Sequence, residues 1–78
     1  MAPFYYSFIL ASVLPPLDLD FLLETQLDQA LLTVEDGVQT LMFEGDPSMA
    51  KAQQVLISID QVETLLGSDV IHQIFFHR

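Results

Sequence analysis

The sequence predicts a mixed α+β domain whose elements follow the order strand, helix, strand, strand, helix, strand. The first observation is Asp36-Gly37, which lies between two β-prone runs and is a strong signal for a β-hairpin. The second is the apolar, aromatic-rich run 4–14, which is typical of a covered strand. The third is the helical spacing of apolar residues between 52 and 66.

The predicted hairpin pairs residues 31–34 with residues 38–43. Read at helical period, the same stretch would extend a long helix and predict an all-α helical hairpin from 18 to 67 in an oligomeric bundle. That helix would carry Gly37 in its middle, at a cost of about 1 kcal/mol relative to Ala. We therefore favour the β-hairpin and keep the all-α bundle as the alternative.

The first strand is expected over 4–14, with a short helix starting at Pro3 as the alternative. Pro15-Pro16 ends this element, and Asp18 or Asp20 is expected to cap the helix that follows. The apolar residues of that helix are spaced so that they share one face. They are Leu19, Leu23, Leu27 and Ala30.

Three acidic residues of the first helix are four positions apart and are predicted to form one row: Asp20, Glu24 and Asp28. Each pair of like charges at this spacing costs about 0.2–0.5 kcal/mol in a helix. The row is either a solvated face or a ridge that meets a basic partner. In the second case it would steer association rather than hold the complex.

The second helix is expected to begin with Asp46 as its N-cap and Pro47 at its first position, and to end at Gly67. Its apolar residues repeat at helical spacing. They are Ala52, Val55, Ile59, Val62 and Leu66, with Leu56 beside them.

The closing run 70–78 is predicted to be an edge strand, because one face is apolar and the other is mixed. A short helix is the alternative. His72 and His77 lie five residues apart and so face opposite sides of such a strand, which prevents them from sharing a metal ion. His72 is expected to be partly buried and structural.

This order of elements is that of the split βαβ, or ferredoxin-like, arrangement, an antiparallel four-stranded sheet with two helices on one face. Residues 1–78 are expected to form a single small domain. Right-handed crossovers make the first and third strands central and the second and fourth strands edges. One sheet face then stays open. It would carry either the following residues or the ones that alternate with them along the same strands: Tyr5, Ser7, Ile9, Gln39, Leu41, Phe43, Gln73 and Phe75.

Composition restricts the function. The 78 residues contain 2 Lys plus Arg against 11 Asp plus Glu, a net charge of -9. Direct binding of nucleic acid needs cations, as does binding to an anionic membrane surface, so neither is expected. The run 4–14 is too short to span a bilayer and is a poor secretion signal, so a cytoplasmic location is expected.

No catalytic chemistry is expected. The sequence has no cysteine, its serines have no nearby histidine with a supporting acid, and it contains too few glycines for a phosphate-binding loop. Asp18 and Asp20 are better explained by helix capping than as a metal-binding pair. The sequence therefore indicates neither an enzyme nor a metal or cofactor site.

The first functional hypothesis is a small acidic interaction module, of the adaptor, regulator or chaperone-like kind, that binds a protein partner or forms a homodimer. Either composition of the open face is more apolar than a solvated face should be. The alternatives are a small-molecule-sensing regulatory domain and an acidic inhibitor that mimics nucleic acid. The expected partner-binding residues are Ile71, Ile74, Phe75, Phe76, Asp20, Glu24 and Asp28.

Overall fold

The computed structural model describes residues 3–27 and 29–77. Its elements are β1 (Phe4–Leu10), α1 (Leu19–Glu24), β2 (Leu31–Glu35), β3 (Val38–Gly45), α2 (Lys51–Leu66) and β4 (Ile71–Phe76). The strands form one antiparallel sheet in the order β2-β3-β1-β4, with β1 and β3 in the centre. This confirms the predicted α+β architecture of the ferredoxin-like type, and the all-α alternative is wrong.

The hairpin between β2 and β3 turns at the expected residues. Asp36 and Gly37 both have positive φ angles, of 53° and 78°, and Glu35 pairs with Val38 directly across the turn. Positive φ at both central residues is the geometry of the two-residue turns that match the twist of paired strands. Glycine adopts it without a steric penalty, and Asp is among the few other residues that tolerate it.

β1 is shorter than the apolar run that predicted it, because the chain leaves the sheet after Leu10. Ala11 still donates a backbone hydrogen bond to Val70, at 2.7 Å, and the next residues form a turn. The following loop is held by the side chain of Gln39, which accepts from the Leu17 amide at 2.7 Å and donates to the Pro15 carbonyl at 3.1 Å. This buried glutamine therefore fixes the path from β1 to α1.

α1 begins where the sequence predicts, since the Asp18 carboxylate accepts from the amide of Phe21 at 2.8 Å. It ends after only six residues. Gln26 takes a left-handed φ of 63°, and Leu27 donates to the carbonyl of Leu22 at 2.9 Å. These are the features of a Schellman motif, with the buried Leu27 returning to the core beside Leu22.

The early end of α1 makes the predicted apolar stripe wrong. Leu22, Leu27 and Ala30 are buried, whereas Leu19 and Leu23 are exposed on α1. Once the chain has turned at Gln26, helical spacing no longer relates the residues that follow to those that precede. The left-handed position that ends a helix is usually occupied by Gly or Asn, which marks the helix end in a sequence. Gln26 occupies it here and gives no such mark.

α2 starts later than predicted, at Lys51, with Ala50 as an N-cap that makes no side-chain hydrogen bond. Asp46 instead caps the preceding turn, where its carboxylate accepts from the amide of Ser48 at 2.9 Å. Gln54 holds this turn by accepting from the Asp46 amide and donating to the Asp46 carbonyl, each at 2.8 Å. The end of α2 at Gly67 is confirmed.

The core lies between the sheet and the helices. Its largest side chains come from the helix-facing side of β1 and β3, namely Tyr6, Phe8, Leu10, Leu41 and Phe43. From its predicted stripe, α2 contributes Val55 and Val62 to the core, and Ile59 and Leu66 pack against it half-buried. Ala52, the first residue of that stripe, is exposed, as is Leu56. Within the described residues, no helix has the length and apolar character needed to cross a lipid bilayer.

Candidate functional site

The candidate surface lies on β4, which pairs with β1 on one side only. In the described residues no strand adjoins its other side. We define the β4 edge as Ile74, Phe75 and Phe76, whose side chains are 37%, 37% and 50% exposed. The segment Ile71–Phe76 contains no Asp, Glu, Lys or Arg, so the strand itself supplies none of the charges that commonly block edge strands.

The hydrogen-bond register shows which backbone groups of the β4 edge are free. The amide of His77 donates to the carbonyl of Tyr5 at 2.9 Å, so His77 directs its backbone groups toward β1. In an antiparallel pair this orientation alternates along the strand. Phe75 therefore bonds to β1, while Ile74 and Phe76 point their N–H and C=O groups away from the sheet.

The side chains of the β4 edge alternate between the two sheet faces. Ile74 pairs with Phe8 and Phe76 with Tyr6, which places both on the helix side. The ring of Phe76 lies 6.3 Å from that of Tyr6, and the Lys51 ammonium lies 5.4 Å from the Phe76 ring centroid. Phe75 pairs with Ser7 on the open face.

The start of β4 differs from the expectation. The register shifts between Ile9 and Leu10, so that Ile71 pairs with Leu10 and packs against the core. Ile71 is half-buried and is the least accessible of the four predicted binding residues on β4. His72 lies at this irregularity and is exposed, so its predicted partial burial is wrong.

The open face carries part of the predicted set. Tyr5, Ser7 and Ile9 share it with Gln73 and Phe75. On β3 that face carries Glu44, Met42 and Thr40, which pair with Tyr5, Ser7 and Ile9 in that order. The expected β3 residues lie on the helix side instead: Gln39, Leu41 and Phe43. The sequence predicts that β3 side chains alternate between the two faces. It does not predict which alternate set lies beside Ser7, because that depends on how β3 is aligned with β1.

The centre of the open face contains a contact that sequence reasoning missed. The hydroxyl of Ser7 lies 2.6 Å from Nε2 of His77, although the two residues are far apart in sequence. Ser7 is only 1% exposed, so its oxygen is enclosed by its neighbours. We interpret the pair as a structural contact that ties the end of β4 to the middle of the sheet.

The predicted acidic residues do not join the β4 edge in one site. Asp20 and Glu24 are exposed on α1, but the helix ends at Glu24, so the predicted helical row is interrupted there. Asp28 lies outside the described residues. Leu19 and Leu22 of α1 line a cavity together with Leu31 and Leu32 of β2. α1 therefore lies near the β2 edge of the sheet, and β4 forms the other edge.

A cavity of about 250 Å³ lies between α2, the end of α1 and the sheet. Its lining includes Tyr6, Phe43 and Ser58. Four glutamine side chains also contribute to it, and these are Gln26, Gln29, Gln54 and Gln61. The short α1 leaves this space open, and scattered glutamines give no motif by which the sequence reveals it.

Among residues 3–27 and 29–77, no cluster of three or more His, Asp or Glu side chains is arranged to hold a metal ion. Comparisons of the chain with models of protein families, with curated protein sequences and with solved structures found no match.

Proposed function

We propose that the chain is a small, acidic, non-catalytic protein-interaction module that binds protein through the β4 edge. The observation that carries this proposal is the outward-facing backbone of Ile74 and Phe76, beside exposed apolar side chains. Proteins either protect such an edge with charge, proline or a covering segment, or use it to pair with another strand. A cytoplasmic location belongs to the same proposal.

Strand addition explains how such an edge would give both affinity and selectivity. The N–H and C=O groups of Ile74 and Phe76 would bond to the backbone of the added strand. The alternating side chains would then select the partner, with Ile74 and Phe76 on the helix side and Phe75 on the open face. The exposed ring of Phe76 supplies an aromatic anchor of the kind that is enriched at protein interfaces.

The acidic residues have a separate part in this proposal. Asp20 and Glu24 lie away from β4, so they would steer a basic partner during approach without forming the central contact. Neutralising them with Asn and Gln would slow association and flatten its salt dependence. Loss of all binding on neutralisation would instead favour an inhibitor that mimics nucleic acid.

The experiment compares Ile74→Lys with Val34→Lys. Val34 is also an exposed apolar residue on an edge strand, but it lies on β2 at the opposite side of the sheet. Proteins retained by the immobilised chain are identified by mass spectrometry and their affinities are measured with each variant. We expect Ile74→Lys to abolish binding and Val34→Lys to retain it. Equal binding by the two variants would overturn the proposal.

A second candidate function is supported by the cavity over Tyr6 and Phe43. The amide of Gln54 already bonds to Asp46, but Gln26, Gln29 and Gln61 bring further donors and acceptors to the lining, next to the Glu44 carboxylate. This lining suits a neutral planar ligand that has donors of its own, such as a nucleobase. A sensor of this kind would show a higher melting temperature with free nucleobases present. Gln61→Leu, which removes one amide from the lining, would abolish that increase. Unchanged melting of the unmodified chain with every nucleobase would exclude this ligand class.

A further inference from the structure

We infer that the β4 edge is occupied by a second copy of this chain, paired antiparallel, strand to strand, across a two-fold axis. The two four-stranded sheets would then form one continuous sheet. The inference rests on the β4 edge of the proposed function and names its occupant. With a second acidic copy in that place, Asp20 and Glu24 repel rather than steer, so neutralising them would speed association instead of slowing it. Three features carry it: the charge distribution, the backbone register and the side chains that would meet.

The charge distribution favours a second copy over a basic partner at this edge. Each chain carries a net charge of -9, so two copies repel one another unless they meet through a surface without acidic residues. The segment Ile71–Phe76 has no acidic residue, and Lys51 lies beside Phe76. A basic partner would be drawn instead toward Asp20 and Glu24 on α1, which lies near the β2 edge.

The register of the added strand follows from the free backbone groups. Ile74 and Phe76 both direct their N–H and C=O groups outward. A two-fold axis at Phe75 sets Ile74 of each copy opposite Phe76 of the other, so that all these groups are paired. An axis at Ile74 would instead need His72, which lies where the register of β4 is irregular.

The same register brings apolar side chains together on both faces. Ile74 contacts Phe76 of the second copy on the helix side. Phe75 meets Phe75 of the second copy on the open face, at a non-hydrogen-bonded position where side chains approach most closely. Apolar and aromatic pairs across neighbouring strands stabilise a sheet. The lysine beside each Phe76 covers the ring without adding negative charge.

The absence of cysteine from the sequence makes a single-cysteine cross-linking test possible. Phe75→Cys places one thiol at the two-fold axis, where the Cα separation suits a disulfide. Gln73→Cys is the matched control on the same face of the same strand. Its two copies would be offset by four positions, or about 14 Å along the strand, which is too far for a disulfide. Mild oxidation is followed by non-reducing electrophoresis.

We expect a covalent dimer from Phe75→Cys, none from Gln73→Cys, and loss of the Phe75→Cys dimer when Ile74→Lys is added. We also expect the unmodified chain to sediment at twice 8.8 kDa, and its association to strengthen as salt screens the repulsion between copies. A stable mass of 8.8 kDa would overturn the inference. Cross-linking of Gln73→Cys alone would overturn it too, because that result requires another register.

The outcomes also separate this inference from the proposed function. If the unmodified chain is monomeric but binds another protein that Ile74→Lys releases, the second copy is wrong and the β4 edge is still the binding surface. If a dimer forms and persists unchanged in Ile74→Lys, the second copy at the β4 edge is wrong, because self-association then uses another surface. The proposed function fails as well only if Ile74→Lys also retains other proteins as Val34→Lys does.

Discussion

The hydroxyl groups of Tyr6 and Ser58 share a hydrogen bond of 2.6 Å that joins the central strand β1 to α2. Both side chains are buried beneath the cavity that they line, and each hydroxyl satisfies its hydrogen bond through the other. The Tyr6 ring also stacks on Phe43, with centroids 5.4 Å apart and planes 11° apart. This contact fixes α2 over the sheet, and with it Lys51 beside Phe76.

Ser58→Ala is expected to lower the free energy of unfolding by about 1–2 kcal/mol, because it leaves the buried Tyr6 hydroxyl without its partner. Tyr6→Phe should lower the free energy of unfolding by less in the Ser58→Ala variant than in the unmodified chain. In the double variant both hydroxyls are gone, so neither is left without a partner. Urea denaturation measures all four proteins. Ser12→Ala, at an exposed position, is the control and should be neutral. Strict additivity of the two changes would contradict the coupling.

Gly45→Ala is expected to destabilise the fold by about 1–3 kcal/mol, because an added methyl group enters a packed site. The Phe4 ring lies where the Cβ of residue 45 would stand, and the two residues pair across β1 and β3. Phe4→Ala removes the obstacle, so the Gly45→Ala change should cost far less in that background. Thermal unfolding of the single and double variants checks this, and an equal cost in both backgrounds would contradict it.

Gly37→Ala is expected to cost about 1 kcal/mol, because it places a side chain at a φ of 78°. No neighbouring atom lies within 4 Å of the position a Cβ would take, so the penalty comes from the backbone alone. Asp36→Asn should be nearly neutral, since Asn tolerates the left-handed region. Chemical denaturation compares the two, and a neutral Gly37→Ala would show that this turn is not strained.

The pKa of Asp46 is held below its ordinary value by the backbone N–H of Ser48 and then by the Ser48 hydroxyl, both of which donate to its carboxylate. Ionised Asp46 therefore favours the folded chain. This contribution is present above the ordinary carboxyl pKa and is lost as the pH falls through the lowered value. Ser48→Ala removes one donor and should raise the pKa of Asp46, which carbon-detected NMR titration measures. An unchanged pKa would refute this assignment.

The elements that the sequence predicts well are those whose signals are local. Asp36-Gly37 specifies its turn through the φ angles of two adjacent residues, and Asp18 caps α1 through one hydrogen bond to Phe21. Apolar spacing locates α2 because Val55 and Val62 remain on one helical face. Each of these features depends on a few neighbouring residues, so periodicity and residue type are sufficient.

The features that the sequence does not reveal depend on tertiary contacts. α1 ends at a Schellman motif because Leu27 returns to the core, and a Gln in the left-handed position hides that end. The pairing of Ser7 with Met42 sets the open face, and it depends on a register between distant strands. The β4 edge was predictable as apolar and uncharged. The outward orientation of its backbone groups required the register between His77 and Tyr5.

Amide hydrogen exchange measured by NMR tests the central claim most directly, because it reports on the backbone groups that the claim uses. Val34 is the internal reference on β2. The two-residue turn pairs Glu35 with Val38, so alternation leaves the Val34 amide directed away from the sheet. If protein binds at the β4 edge, the Ile74 and Phe76 amides will be protected while the Val34 amide exchanges freely. Exchange of Ile74 and Phe76 as fast as that of Val34, under conditions of association, would contradict the account.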